Sequence, residues 1–446
     1  MGSSPYGTHA TIPCNIAPLN FRFTNAAYDR AVVEVRGPSS TLRVKARHGQ
    51  VIFPVHAWKS LLQSAKGQDL QVTVKGHEAA SFTLHVASDP IDEWLTYRLI
   101  EPGYEVWHKV EIRERNLTNW RERVIADHRH TNNACMNCHI HGRDGQSLFY
   151  LRGTGGGAFL SDGSSVRKLS LRDDEMISST VYGDLHPSGR YGVFSTNIII
   201  PGFHTVGGRR LEVYDTASDL VVADFAAKCI IHSPLVDRAD VLETFPTFAA
   251  DGRSVIYCAA DTVRLPAEVG SLRYSLCRIG FDAEHGAWGT TVDTLWNADV
   301  EGGSACLPKA SPDGRWLLYT VADYGTFPIW HQECDLQLMN LATGDVNSLS
   351  TVNAYRSDTY HSWSSNSRWF VFASKRGDGQ YGRPYICHLD ANGVPGKPFV
   401  LPQRHPNYYD NTLKSFNIPD LGTTPVPFNA RRIGRMQRCV TAETFE

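Results

Sequence analysis

Apolar and polar residues alternate strictly along Leu70-Gln-Val72-Thr-Val74-Lys75 and Phe82-Thr-Leu84-His-Val86. This is the period of half-buried antiparallel strands. Just upstream, Trp58, Leu61, Leu62 and Ala65 recur at i, i+3, i+4 and i+7 and predict one helix. Residues 18–92 therefore read as a small β-sandwich-like domain ending near Asp89-Pro90, with residues 1–17 as a leader.

From residue 146 a different pattern takes over and repeats. A turn, an apolar strand, a variable loop and a second strand follow one another. The turns are Asp144-Gly145, Ser188-Gly189-Arg190, Asp251-Gly252-Arg253, Asp313-Gly314-Arg315 and Asn366-Ser367-Arg368, spaced 44, 63, 62 and 53 residues apart. Apolar strands follow them at Leu148–Tyr150, Tyr191–Phe194, Val255–Cys258, Trp316–Tyr319 and Trp369–Phe372. Such units suit the four-stranded blades of a β-propeller, because a single blade cannot cover both of its faces and must stack on two neighbours. The fold class expected is all-β, with a propeller of about six blades over residues 146–410 and a C-terminal tail, 411–446, packing on it. Two tandem sandwiches are the competing arrangement.

Composition agrees with many short strands: the 446 residues include 37 Gly, 23 Pro and 47 aromatic side chains (19 Phe, 18 Tyr and 10 Trp). A length of 446 residues exceeds one ordinary core. Forty-four basic against 46 acidic residues leave a net charge of −2, which provides no footprint for nucleic acid or an anionic membrane. No stretch approaches the roughly 18–20 apolar residues of a membrane span, and the first residues lack the n- and h-regions of an export signal.

Residues 93–145 stand apart as a charged segment rich in histidine: five of the 18 His (108, 128, 130, 139 and 141) fall there. Two of the ten cysteines lie in Cys135-Met-Asn-Cys138-His139, the attachment signature of c-type haem. In that chemistry the thiols of Cys135 and Cys138 add across the haem vinyl groups and the imidazole of His139 takes the proximal side of the iron. The segment is therefore read as haem-c-binding, with its strand-like runs before residue 113 also able to complete a blade. His130 is the candidate distal ligand, with His128, Met176 and His204 behind it, and His141 is too near His139 to reach the opposite face. A zinc site built from Cys135, Cys138, His141 and His128 or His130 is the alternative metal chemistry. Gly153-Thr-Gly155-Gly-Gly157 precedes a strand and so lacks the helix a phosphate cradle requires. Among the other eight cysteines, Cys258 with Cys277 and Cys306 with Cys334 are candidate disulfides.

Ser311-Pro-Asp-Gly-Arg-Trp-Leu-Leu-Tyr319 and its echoes at 186, 248 and 362 resemble the repeat of TolB-like (WD40-like) propellers of bacterial envelopes. The stretches Ile12–Asn20, Tyr97–Tyr104, Cys135–His139, Phe194–Asn197, Ser362–Phe372, Arg383–Tyr385, Leu401–Gln403 and Leu413–Pro419 together resemble envelope proteins that join such a propeller to a haem-binding CxxCH segment. That resemblance implies a periplasmic or otherwise extracytoplasmic protein of the cell envelope and leaves room for a lipid anchor. Haem attachment likewise implies export. The function expected is that of a monohaem cytochrome c exchanging single electrons with a redox partner protein or larger envelope complex, and no substrate pocket is legible. The alternative is an envelope scaffold whose propeller binds protein around a structural haem or zinc; a haem enzyme with an open iron position is a third reading.

Overall fold

The repeated turns close hairpins for a definable reason. Gly189, Gly252 and Gly314 take φ of 71°, 73° and 74°, the left-handed region open to a residue without Cβ, and Ser367 takes 58° in the same place. The side chains of Asp251, Asp313 and Asn366 accept the amide of the arginine two residues on, at 3.0, 3.1 and 3.1 Å. These Asx turns fix where each apolar strand begins.

The computed structural model describes residues 6, 9–76, 79–101, 109–142, 145–152, 156–202 and 212–446. Of the residues singled out above, His108, His204, Asp144, Gly153–Gly155 and the side chain of Cys138 lie outside that set. Among the described residues, six sheets of four or five strands follow one another along the chain. Five have their innermost strand first, at Met136–His141, Thr180–Leu185, Val241–Phe248, Ser304–Ala310 and Asp358–Trp363. The remaining sheet takes three strands from near the N-terminus, Trp94–Ile100, Glu111–Asn116 and Glu122–Asp127, and its innermost strand, Ser415–Gly422, from the other end of the chain. We number these blades 1 to 6 in chain order, blade 1 being the composite one. Each inner strand touches the next around a closed ring. The fold is a β-propeller.

The apolar residues divide accordingly. One core lies between each pair of neighbours, such as Tyr191, Val193 and Val222 against Val255 and Ile279 between blades 3 and 4. Phe149 and Phe159 meet Ile112 and Ile125 between blades 2 and 1. The cluster between blades 6 and 1 (Trp369, Val371, Phe416 and Leu95) is continuous with the core of the N-terminal domain.

That domain is a five-stranded sheet with a two-stranded ribbon, Phe21–Arg22 paired with Gln50–Val51, in place of two stacked sheets of similar size. The larger sheet's strand order is Thr11–Pro13, Ala80–Ala87, Gln68–Lys75, Val32–Arg36 and Thr41–Lys45. The helix Val55–Ser64 buries Trp58, Leu61 and Leu62 in the same core as Val33, Val72 and Leu84, and takes the place of a second sheet. The structure divides the chain differently from its sequence pattern at three points. Residues 11–17 belong to this domain, because Thr11–Pro13 pairs in parallel with His85–Ala87 and Ile12 and Ile16 are fully buried. The propeller starts at Trp94, so the segment 93–145 is no linker: it supplies three strands of blade 1 and the inner strand of blade 2. The tail closes the ring through Ser415–Gly422 before the helix Ala430–Cys439 and a short edge strand at Glu443–Thr444 on blade 2.

Ring closure rests on packing that one substitution tests. Phe416 is 1% exposed and its ring lies 4.8 Å from that of Tyr97 on the paired strand. Phe416→Ala should cost about 3–5 kcal/mol in urea unfolding. Leu413→Ala, at a side chain 59% exposed just outside the strand, should stay within about 0.5 kcal/mol.

Candidate functional site

Every inner strand is irregular at the same level. Its register slips by one extra residue at 138 in blade 2, 181–182 in blade 3, 245–246 in blade 4, 307–308 in blade 5, 360 in blade 6 and 418–419 in blade 1. Phe245, Leu307, Tyr360 and Ile418 hold positive φ (50°, 55°, 46° and 48°) at these bulges. A bulge re-aims the residues that follow it. Tyr182, Phe245, Leu307, Tyr360 and Ile418 line the central channel, a cavity of about 430 Å³. Cys138 is the residue at the corresponding backbone position of blade 2.

The haem signature thus lies on the inner strand of a blade. Cys135 immediately precedes it, half-buried and free, with its carbonyl accepting the Arg152 amide at 2.9 Å. Burial pushes the Cys135 thiol up, while the charges of Arg98 and Arg152 pull it back down. His139 and His141 point from the strand towards blade 1, and Ile140 packs on the other face against Leu185 and Phe194 of blade 3. His139 is 7% exposed, and burial, followed by the nearby Arg98 charge, lowers its pKa to about 3. Neither of its ring nitrogens has a hydrogen bond of ordinary geometry, although the backbone of Thr96 and of Ile418 comes close enough to favour a proton slightly. His141 is likewise buried with both nitrogens unpartnered, and burial lowers its pKa too.

The repeat supplies a control for His139. His361 occupies the same register position in blade 6, one residue after the bulge. It too is buried, which lowers its pKa to about 3. Its Nε2, however, is 2.8 Å from the Leu318 carbonyl of the preceding blade. Thr96 is the counterpart of Leu318, since each pairs with the residue after its own inner-strand bulge. His361 is a tie between blades; His139 has the same surroundings, with the Thr96 backbone near it but no hydrogen bond of ordinary geometry.

The residue next along each inner strand is Ile140, Asp184, Thr247, Lys309, Ser362 or Asp420, and all six line the channel. Asp184 Oδ2 accepts from Thr247 Oγ1 at 2.5 Å, and its Oδ1 lies 3.6 Å from Lys309 Nζ. Asp420 Oδ2 accepts the His141 amide at 2.7 Å, and burial raises the carboxyl to about 6. Sequence pattern had singled out none of these polar groups. Their signal is positional: each stands two residues after the bulge residue of its strand, and three of them follow an aromatic- or aliphatic-Pro step, Phe245-Pro246, Leu307-Pro308 and Ile418-Pro419.

The other expected ligands are dispersed. His130 sits in the turn after the outermost strand of blade 1, with Nδ1 2.6 Å from Asp127 Oδ1 and its carbonyl accepting from Arg438. Met176 is in the core between blades 2 and 3. Among the described residues no three His, Cys, Asp or Glu side chains converge on one point, so the described members of the zinc set, Cys135, His141 and His128 or His130, do not come together. The nine described cysteines are free. Cys258 pairs in register with Leu276, so Cys277 falls on the opposite face of the sheet, in a different core. Cys306 and Cys334 are each fully buried, with thiols directed at the carbonyls of Gly325 and Asp358.

No protein-family model and no curated protein matches the chain. Solved structures of similar shape include a hypothetical selenium-binding protein from Sulfolobus tokodaii (10% identity, TM-score 0.46, covering 91% of this chain and 96% of that one). A periplasmic gluconolactonase from Pseudomonas aeruginosa is similar at 15% identity and TM-score 0.35, over 69% of this chain and 96% of that one. Puromycin hydrolase is similar at 14% identity and TM-score 0.39, over 69% of this chain, which spans less than half, 45%, of the hydrolase. These likenesses concern shape alone. Among the described residues no helix is long and apolar enough to cross a membrane.

Two predictions follow from the buried groups. In haem-free protein, His361→Ala removes the donor to Leu318 and should cost about 1 kcal/mol more than His139→Ala, read by chemical denaturation. Glu243, on the inner strand of blade 4, is 1% exposed with Oε2 unpartnered, and burial raises its pKa to about 9. The folded state therefore holds a proton that the unfolded state releases, and stability falls as pH rises from the ordinary glutamate range through 9. Glu243→Gln should raise Tm by about 2–4 °C at pH 9 and leave it unchanged at pH 5.

Proposed function

We propose that this propeller carries one covalently attached haem c on the inner strand of blade 2 and exchanges single electrons with a partner protein outside the cytoplasm. The observation that carries this reading is the His139 imidazole within Cys135-Met-Asn-Cys138-His139. It is buried, neutral across the physiological range and unpartnered at both nitrogens, whereas its repeat counterpart His361 has Nε2 bonded to the Leu318 carbonyl and only Nδ1 unpartnered. A neutral imidazole with a free lone pair is what a metal ligand requires.

The residues fit the group in this respect. Cys135 and Cys138 would hold the macrocycle and His139 the iron. The cationic Arg98 and Arg152 beside Cys135 would offset carboxylate charge brought to that edge. When bound, haem supplies one-electron ferric/ferrous chemistry whose potential follows from axial ligation and burial. On one side of His139 the void towards blade 1 is about 10 Å³, room for no more than a water. On the other side the 430 Å³ channel is the space open to a larger group. His130 would have to leave Asp127 to reach a second axial position. The export that such attachment needs supports an extracytoplasmic site of action.

The test is retention of haem after denaturation. Chain made alongside a haem-attachment system should keep its haem absorbance in denaturant and gain the mass of one haem, and Cys138→Ala should lose normal double attachment. An intact mass equal to the bare polypeptide would overturn the proposal. With haem attached, a spectrum unmoved by carbon monoxide supports a six-coordinate carrier; a shifted spectrum favours an open iron position and enzymatic chemistry.

A further inference from the structure

We propose that the central channel binds a neutral, polyhydroxylated, pyranose-sized molecule on the polar ring formed by Asp184, Lys309 and Asp420. The site lies in the channel that His139 also lines, but it uses different side chains. Three observations lead to this ligand class. The cavity of about 430 Å³ lies within the range of small-molecule sites. One part of it is apolar, built by the bulge residues Tyr182, Phe245, Leu307, Tyr360 and Ile418, with the Tyr182 and Phe245 rings 4.4 Å apart. At the adjoining level, two carboxylates and one ammonium face the same space from blades 3, 1 and 5.

The charges select against ions of either sign. An anion meets Asp184 and Asp420, and a cation meets Lys309, whose Nζ lies 3.6 Å from Asp184. What remains favourable is a group that both donates and accepts, and hydroxyls do both. Lys309 Nζ makes no hydrogen bond within 3.5 Å among the described residues, and its nearest anion, Asp184 Oδ1, is 3.6 Å away. Its donors are therefore available. Asp184 is already oriented by Thr247 Oγ1 and the Phe248 amide, and Asp420 by the His141 amide, so both acceptors are positioned before a ligand arrives. The apolar level suits the C–H face of a sugar ring. Backbone strain at Phe245, Leu307, Tyr360 and Ile418 falls at this level, where strained residues commonly mark a binding site.

Saturation-transfer NMR on the full chain tests the assignment, with glucose, galactose, mannose and arabinose as neutral probes and glucuronate, galacturonate and glucosamine as charged ones. At least one neutral sugar should receive saturation on its ring C–H protons, and the matched acids and amine should bind at least tenfold more weakly. Lys309→Met and Asp420→Asn should each weaken binding tenfold or more, and Lys59→Ala, on the N-terminal domain, should not. Thermal melts of each variant separate lost contact from lost fold, and Asp184→Asn replaces any variant that fails to fold. Transfer to none of the neutral sugars, equal transfer in the variants, or preference for an acid or amine overturns the proposal. Running the same panel on the Cys135→Ala/Cys138→Ala double variant keeps the two readings apart: this haem-free protein, with the channel open, should bind the sugar whether or not the unsubstituted chain carries haem.

Discussion

The pairing of Ser415–Gly422 with Trp94–Ile100 is the interaction on which the molecule depends. It joins strands from opposite ends of the propeller and supplies the inner edge of blade 1, without which blades 6 and 2 would each lose a facing surface. The entropic cost of closing so large a loop rises only with the logarithm of its length. The return is the whole cluster that links Trp369, Val371, Phe416 and Leu421 with the N-terminal domain. Closure also makes the site. Asp420 and Ile418 come from the closing strand, and Asp420 receives the amide of His141 from the strand that carries the haem signature.

The N-terminal domain clamps that same seam. Asn20 accepts the Phe53 amide and donates to the Arg404 carbonyl, while Trp369 donates to the Asp89 carbonyl and Ser365 to Asp92. Arg115, 2% exposed in blade 1, reaches Gln403 and the Pro402 carbonyl. A domain placed across the joint of a ring resists opening at the seam inside blade 1, where the two ends of the propeller meet through strand pairing alone.

Much of this was legible in the chain. The turns with glycine or serine at positive φ announced five blades, and the helical spacing of Trp58, Leu61 and Leu62 gave the one helix of the first domain. Blade 1 was legible only as strand-like runs before residue 113 able to complete a blade, because its hairpins lack those turns and its inner strand comes from the far end of the sequence. The channel was hidden for another reason: a bulge breaks period-two alternation at the very residues that line it, so Leu307-Pro308-Lys309 reads as a strand end. Parity of cysteines was uninformative because a one-residue offset puts Cys258 and Cys277 on opposite faces. The signature Cys135–His139 was visible, but its polar neighbours read as a charged segment standing apart, whereas their polarity belongs to a channel wall and a blade interface.

One strand of blade 2 therefore carries three demands at once. Ile140 serves the core with blade 3, Cys138 holds the bulge position whose counterparts line the channel, and His139 and His141 enter the cleft to blade 1. The last demand is costly: a buried polar group left unpaired destabilises by about 1–3 kcal/mol, and here two adjacent imidazoles leave four nitrogens unpartnered. Pro246, Pro308 and Pro419 show what the same register position looks like when only the fold is served, and His361 shows how a histidine is accommodated there by a carbonyl 2.8 Å away. His139 is thus less well satisfied than the repeat allows at this position, and the haem attachment proposed for the adjacent thiols would use its free nitrogen.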